Sequence, residues 1–264
     1  MRTVNECKNF QESLDALYNW SSTWQLPISY HKCSFMVIGN LKNDKDFSFS
    51  FHLGDNDISR QEAAKDLGIY TDSNLKFSRH INHIVAKAHA RANLMHKCFL
   101  SKDRSILVKA YVTYVRPLLE YAVHVWSPYQ LEDIARIESV QRRFTKRLSG
   151  LSNDNYSSRL ETLGLKSLEL RRLHQDLMYT YKIIFGLVDL DCSRFFTVSS
   201  NETTRGHICK LFVCHSRVDV RKYFLCNRVV KIWNSLPATS EDFASIRIFN
   251  SLIKRTDLSW FVNF

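Results

Sequence analysis

The chain has 264 residues, 45% of them hydrophobic and 24% charged, with only 7 Gly and 4 Pro, which excludes a disordered tail, a collagen-like repeat and a low-complexity linker. The formal net charge is +11, and it is uneven: residues 1–100 carry 12 Lys and Arg against 10 Asp and Glu, whereas residues 101–264 carry 25 against 16. A basic surplus in the C-terminal two thirds asks for a polyanionic partner, nucleic acid before an anionic membrane surface.

No run of 18 apolar residues occurs, and the stretch from Met1 to Ser13 lacks the apolar core of a secretory signal. The reading is an intracellular protein, nuclear or cytoplasmic, with no membrane partner. Its seven Cys, at 7, 33, 98, 192, 209, 214 and 226, are an odd number, which favours reduced thiols over a disulfide framework.

In chain order, Leu14, Leu17, Tyr18 and Ser21 share one helical face over residues 10–24, with Trp20 and Trp24 one turn apart and Leu26-Pro27 as the stop. Phe35 and Val37 form a brief apolar run closed by Gly39. Phe47, Phe49, Phe51 and Leu53 then alternate with Ser48, Ser50 and His52, the pattern of a strand. Turn chemistry over Gly54-Asp55-Asn56-Asp57 predicts a hairpin across residues 46–62. A short strand from Lys65 to Tyr70 around Gly68 is expected to end the β structure.

From Phe77 the period becomes helical, with Ile81, Ile84, Val85, Ala88, Ala92, Met95 and Phe99 on one stripe. A second helix carries Ile106, Leu107, Ala110, Tyr111 and Tyr114 up to Arg116-Pro117. Ile134, Ile137, Val140, Phe144 and Leu148 define a third, ended by Gly150. Its other face is basic: Arg136, Arg143 and Arg147 are spaced by 7 and 4, with Arg142 and Lys146 beside them. Leu165 to Ile184 reads as a long helix broken at Gly186. Residues 189–222, including Thr204-Arg205-Gly206-His207, show no sustained period and read as a linker, before two closing helices over Tyr223–Leu236 and Glu241–Lys254. The fold class is α+β, mainly α: a small hairpin and helix, then a helical array.

The motifs of phosphate loops, dinucleotide folds, metalloproteases and serine hydrolases are missing. Cys209, Cys214, His215 and Cys226 do not have the spacing of a zinc set and read as ordinary half-buried thiols. His80 and His83 are better read as helix-surface histidines than as a metal pair. There is no Asp-Asp dipeptide; Asp55-Asn56-Asp57 and Asp189-Leu190-Asp191 are D-x-D arrangements, the first of them in turn-forming residues. No metal site is expected in this chain.

Several blocks together resemble non-LTR retrotransposon reverse transcriptases of the jockey-like kind. These are Leu14-Asp15-Ala16-Leu17 through Trp20 and Trp24, then Ser29-Tyr30-His31-Lys32-Cys33; Lys65-Asp66-Leu67-Gly68-Ile69 with Leu75-Lys76-Phe77 and His80-Ile81; Tyr114 to Ala122 with Val125-Trp126-Ser127-Pro128; Glu138 to Phe144; and Arg228 to Pro237. The resemblance covers nearly the whole chain in order. It implies that residues 1–75 are the end of a polymerase palm with the primer-grip hairpin, residues 76–188 a helical thumb and residues 189–264 a C-terminal helical region. It also implies that the catalytic tetrapeptide, aromatic-x-Asp-Asp, would stand shortly before Leu14, and it is absent here.

On that resemblance the chain is expected to bind RNA/DNA primer-template, with the missing palm and fingers as a further partner, and not to polymerise alone. Magnesium belongs only to the full-length enzyme, since the metal-holding carboxylates are not here. Lys32 would be an accessory near the departing pyrophosphate, or a solvated loop Lys. Leu67, Gly68 and Ile69 would grip the primer, and His80 would be a structural cap. Arg136, Arg142, Arg143, Lys146 and Arg147 would contact phosphates along the duplex. Tyr114 and Trp126 read as core in preference to base-stacking platforms. Two other readings stay open: a basic helical module that binds nucleic acid or another protein, and a transposon remnant without function.

Overall fold

The computed structural model describes residues 4–39, 49–199 and 207–264. It is a mainly α, α+β fold, as the periodicities predict, and it divides into two compact units, Met1–His80 and Ile81–Phe264.

The first unit opens with helix α1 (Val4–Thr23), which ends two residues before Gln25 takes a φ of 55°. Strands β1 (Ser34–Phe35), β2 (Phe51–Leu53) and β3 (Asn56–Arg60) form a sheet of order β1-β3-β2, with β1 parallel and β2 antiparallel to β3. The expected hairpin is present, but it turns on Gly54-Asp55 alone, because Leu53 pairs with Asn56 and His52 with Asp57. The described strand begins at Phe51. The predicted start at Phe47 and Ser48 lies outside the described residues.

The small core holds Cys7, Phe51, Leu53 and Ile58. Phe51 meets Phe10 and Phe35 edge-on, at centroid distances of 5.1 and 5.0 Å. Edge strand β2 is closed by a side chain: Gln11 Nε2 donates to the His52 carbonyl (3.0 Å) and the His52 N–H donates to Gln11 Oε1 (3.1 Å). One amide thus stands in for the missing neighbouring strand. Trp20 of α1 and Trp24 just after it do not join this core, and Trp24 is 65% exposed.

Lys65 to Tyr70 is not one strand kinked at Gly68. Strands β4 (Ala63–Asp66) and β5 (Ile69–Asp72) pair antiparallel, with Asp66 opposite Ile69 and Leu67-Gly68 as the two-residue turn. Leu67 has φ 44° and Gly68 φ 90°. Positive φ at both central positions gives the backbone twist that matches the strands of a tight hairpin.

The second unit is helical: α2 (Ser78–Cys98), whose first turn belongs to the first unit, then α3 (Arg104–Ala110), α4 (Arg116–Glu120), α5 (Val123–Trp126), α6 (Leu131–Lys146), α7 (Tyr156–Leu163) and α8 (Leu168–Ile184). The helix predicted to stop at Arg116-Pro117 runs past it. Tyr111–Val115 forms a π turn that joins α3 to α4. Pro117 lacks the N–H that an α-helix would bond to residue 113, so the widened turn sits where the ladder has lost a rung. Helix α7 was not foreseen, though it carries its signals: Asn155 accepts from the Ser158 N–H at the start, and Gly164 closes the end at φ 61°.

Four shorter helices follow, α9 (Asp219–Lys222), α10 (Leu225–Arg228), α11 (Val230–Ser235) and α12 (Ile246–Arg255). They pack Val229, Trp233, Phe249 and Ile253 against Leu177, Tyr181 and Ile183 of α8. Phe196 and Leu211 are buried in this core as well, and Val198 bridges Leu211 as an isolated antiparallel pair. The segment read as a linker is therefore packed at both ends, and a trace of β pairing does occur after residue 70. Of the predicted linker motif, Thr204, Arg205 and Gly206 lie outside the described residues.

Candidate nucleic-acid interface

Helix α6 has one buried and one charged side. Ile134, Ile137, Val140 and Phe144 are buried, and so are the polar Glu138, Gln141 and Thr145. The Leu168 N–H donates to both Glu138 oxygens (3.1 and 3.0 Å), and the Tyr156 hydroxyl donates to Glu138 Oε1. Gln141 Nε2 donates to the Tyr156 hydroxyl (3.1 Å) and the Lys166 carbonyl (3.0 Å). A carboxylate is thereby set against the N-terminus of α8, where the helix dipole favours it. Burial, before all else, holds the Glu138 carboxyl above the usual range.

The five predicted cations stand on successive turns of α6, in three kinds of environment. Arg136 is half-buried and shared: Nη2 binds Glu132, Nη1 lies 3.5 Å from Asp133 Oδ1 and donates to Asn82 Oδ1 at 2.8 Å. Arg142 is exposed but lies between two rings, 4.9 Å from the Tyr156 centroid and 5.1 Å from that of Phe264. Arg143, Lys146 and Arg147 are exposed and make no salt bridge among the described residues.

Arg147 Nη1 does donate to Asn93 Oδ1, at 2.7 Å. Asn82 and Asn93 both lie on α2, and each faces an arginine 54 positions later. His89, at the same offset from Arg143, holds Ser139 Oγ at 3.3 Å; burial first, and the Arg143 charge second, push its imidazole below the usual histidine value. Helices α2 and α6 thus run side by side in one direction, with neutral polar groups of α2 against the cations of α6. Asn93 fixes the Arg147 guanidinium without cancelling its charge, whereas Arg136 meets Glu132 and Asp133 as well as Asn82. The matching 7 and 4 spacing of Asn82, His89 and Asn93 was the available signal for this ladder, and sequence reasoning missed it.

Of the other predicted positions, Lys32, Leu67, Gly68, Ile69 and His80 belong to the first unit, and Tyr114 and Trp126 to the second. Leu67 is 82% exposed at the tip of the β4–β5 hairpin, followed by Gly68 and the buried Ile69. His80 is buried, and its Nδ1 accepts from the Tyr70 N–H at 3.4 Å, so it ties β5 to the start of α2. Lys32 is exposed on the 3-10 turn Tyr30–Lys32. Trp126 is core, with Nε1 donating to the Tyr121 carbonyl at 2.8 Å. Tyr114 is not: it is 57% exposed, because the π turn rotates it away from the stripe of Tyr111. No group of three or more metal-ligating side chains occurs among the described residues, and no helix among them is long and apolar enough to cross a membrane.

The chain is related to the polymerases of a mobile element. It is 28% identical over 144 residues to the RNA-directed DNA polymerase from mobile element jockey of Drosophila melanogaster, and 27% over 143 residues to that of Drosophila funebris. Each match covers 53% of this chain but only 15% of the polymerase. An uncharacterized protein of Caenorhabditis elegans is 30% identical over 124 residues, 46% of this chain and 63% of that protein. No family model matches the chain, and no solved structure matches it.

Proposed function

We propose that this chain is the palm-end, thumb and C-terminal part of a reverse transcriptase, and that it binds primer-template duplex without polymerising alone. The carrying observation is the side of α6 on which Arg143, Lys146 and Arg147 are exposed without carboxylate partners among the described residues. Phosphate contacts need cations at roughly constant spacing along one face and no base-reading geometry. Arg142, held between its two rings, extends that face. Arg136 serves best as an anchor of α6 to α2, since Glu132 and Asp133 already offset its charge.

In this reading Leu67, Gly68 and Ile69 form the primer grip, Lys32 is an accessory of the palm, and magnesium enters only with the carboxylates of a complete polymerase. The exposed Trp20, Trp24 and Leu26, close together in sequence, favour the rest of a polymerase palm and its fingers as a second partner, because large apolar side chains in the open are normally covered.

Titrating a labelled RNA/DNA hybrid duplex at several salt concentrations tests the α6 assignment. The Arg143→Glu/Arg147→Glu double variant is expected to bind at least tenfold more weakly. The slope of log K against log salt should fall by about 0.9 for each lost phosphate contact. Unchanged affinity and slope would overturn it.

A further inference from the structure

Residues 207–231 hold six Lys and Arg, at 210, 217, 221, 222, 228 and 231, against the single acid Asp219. Between them lies a pocket of about 530 Å³, within the range that small ligands occupy, lined by Cys214, His215, Lys222, Tyr223, Asn227 and Lys231 among others, with no carboxylate in its lining. His215, Lys222 and Lys231 are exposed, and none makes a salt bridge among the described residues.

The walls are held in place from behind. Arg228 binds Asp176 through Nε (2.8 Å) and Nη2 (2.9 Å), and its Nη1 donates to the Tyr223 carbonyl at 3.0 Å. Its charge is thus spent on the buried Asp176, and its role here is to fix Tyr223. The Tyr223 ring stacks flat on Tyr129, with centroids 4.1 Å apart and planes 1° from parallel, and Lys222 Nζ lies 5.1 Å from the Tyr223 centroid. Asn227 Nδ2 donates to Ser216 Oγ (2.8 Å) and to the Arg221 carbonyl (2.7 Å), which fastens the loop carrying Cys214 and His215 to α9 and α10. A rigid concave surface therefore combines two ammonium groups that have no carboxylate partner among the described residues, one of them over Tyr223, with an imidazole and an aromatic pair. Beside it Phe212 and Phe224 are exposed.

We propose that this pocket is a second nucleic-acid site, separate from α6, that holds the sugar-phosphate backbone of a single strand. Lys222, Lys231 and His215 receive phosphate oxygens, and the exposed Phe212 and Phe224 beside them offer faces on which unpaired bases stack. Cations interleaved with aromatics favour a single strand over a duplex, whose bases are closed to stacking. The site does not depend on the thumb reading, since its residues lie outside α6 and the two are tested by different variants.

The experiment is fluorescence anisotropy of the full chain with a labelled oligothymidylate across a salt series. Lys222→Gln/Lys231→Gln and Lys222→Glu/Lys231→Glu are compared with Arg143→Glu/Arg147→Glu. Both lysines are exposed, and circular dichroism checks that the neutral pair folds. The expected result is affinity lowered at least tenfold by Lys222→Glu/Lys231→Glu and less by the Gln pair. The salt slope should fall by about 1.4, from about 0.7 per phosphate on a single strand, while Arg143→Glu/Arg147→Glu lowers single-strand binding by a clearly smaller factor than Lys222→Glu/Lys231→Glu. Unchanged binding in both lysine pairs overturns the proposal. Equal losses from the lysine and arginine pairs overturn a separate site, and binding to phosphatidylserine vesicles without binding to the oligonucleotide overturns the choice of ligand.

Discussion

Glu138 shows how one residue serves two purposes on α6. Its carboxylate is fully buried, and it accepts the first N–H of α8 and the Tyr156 hydroxyl. The ionised form is costly in that setting, yet the donors around it have nowhere else to turn. Glu138→Ala is expected to destabilise the chain by about 1–3 kcal/mol for each stranded donor that water does not reach, read as a lower urea midpoint at unchanged m-value. A midpoint equal to that of the parent chain would mean that the carboxylate is not what holds α8 to α6. Arg136 carries a related lesson. Sequence spacing put it on the same side of α6 as Arg147, but spacing could not show that Glu132 and Asp133, one turn before it, would take its charge.

Among the elements, the β4–β5 hairpin has the clearest backbone strain. A leucine at φ 44° occupies a conformation that L side chains adopt at a cost of roughly 1 kcal/mol, and asparagine tolerates it far better. Leu67→Asn is expected to raise stability by about 0.5–1 kcal/mol in thermal or urea unfolding. If the exposed leucine is a grip on the primer strand, the same variant will bind duplex more weakly, and a gain in stability with unchanged binding would remove Leu67 from the interface. Much of the helical architecture was legible, because α2, α6 and α8 bury stripes of period 3.6 that no tertiary context needed to correct. The first unit was less so. The Lys65–Tyr70 strand proved to be a hairpin because its turn residues are Leu-Gly in place of the usual Asn-Gly, and the paired helices α2 and α6 were each readable while their mutual register was not.

For the whole molecule, acid is the expected weak point. Burial is the first cause that holds His89, His96 and His207 below the ordinary histidine value, and it pushes His174 down to about 4, with Lys166, Arg171 and Lys254 adding to it. An unfolded chain takes up these protons near pH 6.5, whereas the folded one refuses them until lower pH. Their contribution to stability is therefore complete above about 6.5 and is lost as the pH falls toward 4. Asp176 acts in the same direction: burial presses its carboxyl upward, but Arg228 and His124 outweigh that and leave it below its ordinary value. Glu138 opposes them, since its raised value favours the folded state when protonated. Urea midpoints measured between pH 7.5 and 4.5 should fall steadily below about 6.5, and a flat or rising profile would show that these imidazoles are solvated.

The constant offset of 54 between α2 and α6 also limits how the chain can change in length. One inserted residue inside either helix would turn everything beyond it by about 100° and carry Arg147 away from Asn93. Between the two helices, Tyr111 packs on Phe144 and the Tyr114 carbonyl accepts from Arg91, so changes in length are tolerated in the connections at 99–103 and 127–130 and not inside the packed elements. Among relatives that keep this pairing, insertions and deletions should therefore fall in those connections, and the distance from Asn82 to Asn93 should match that from Arg136 to Arg147.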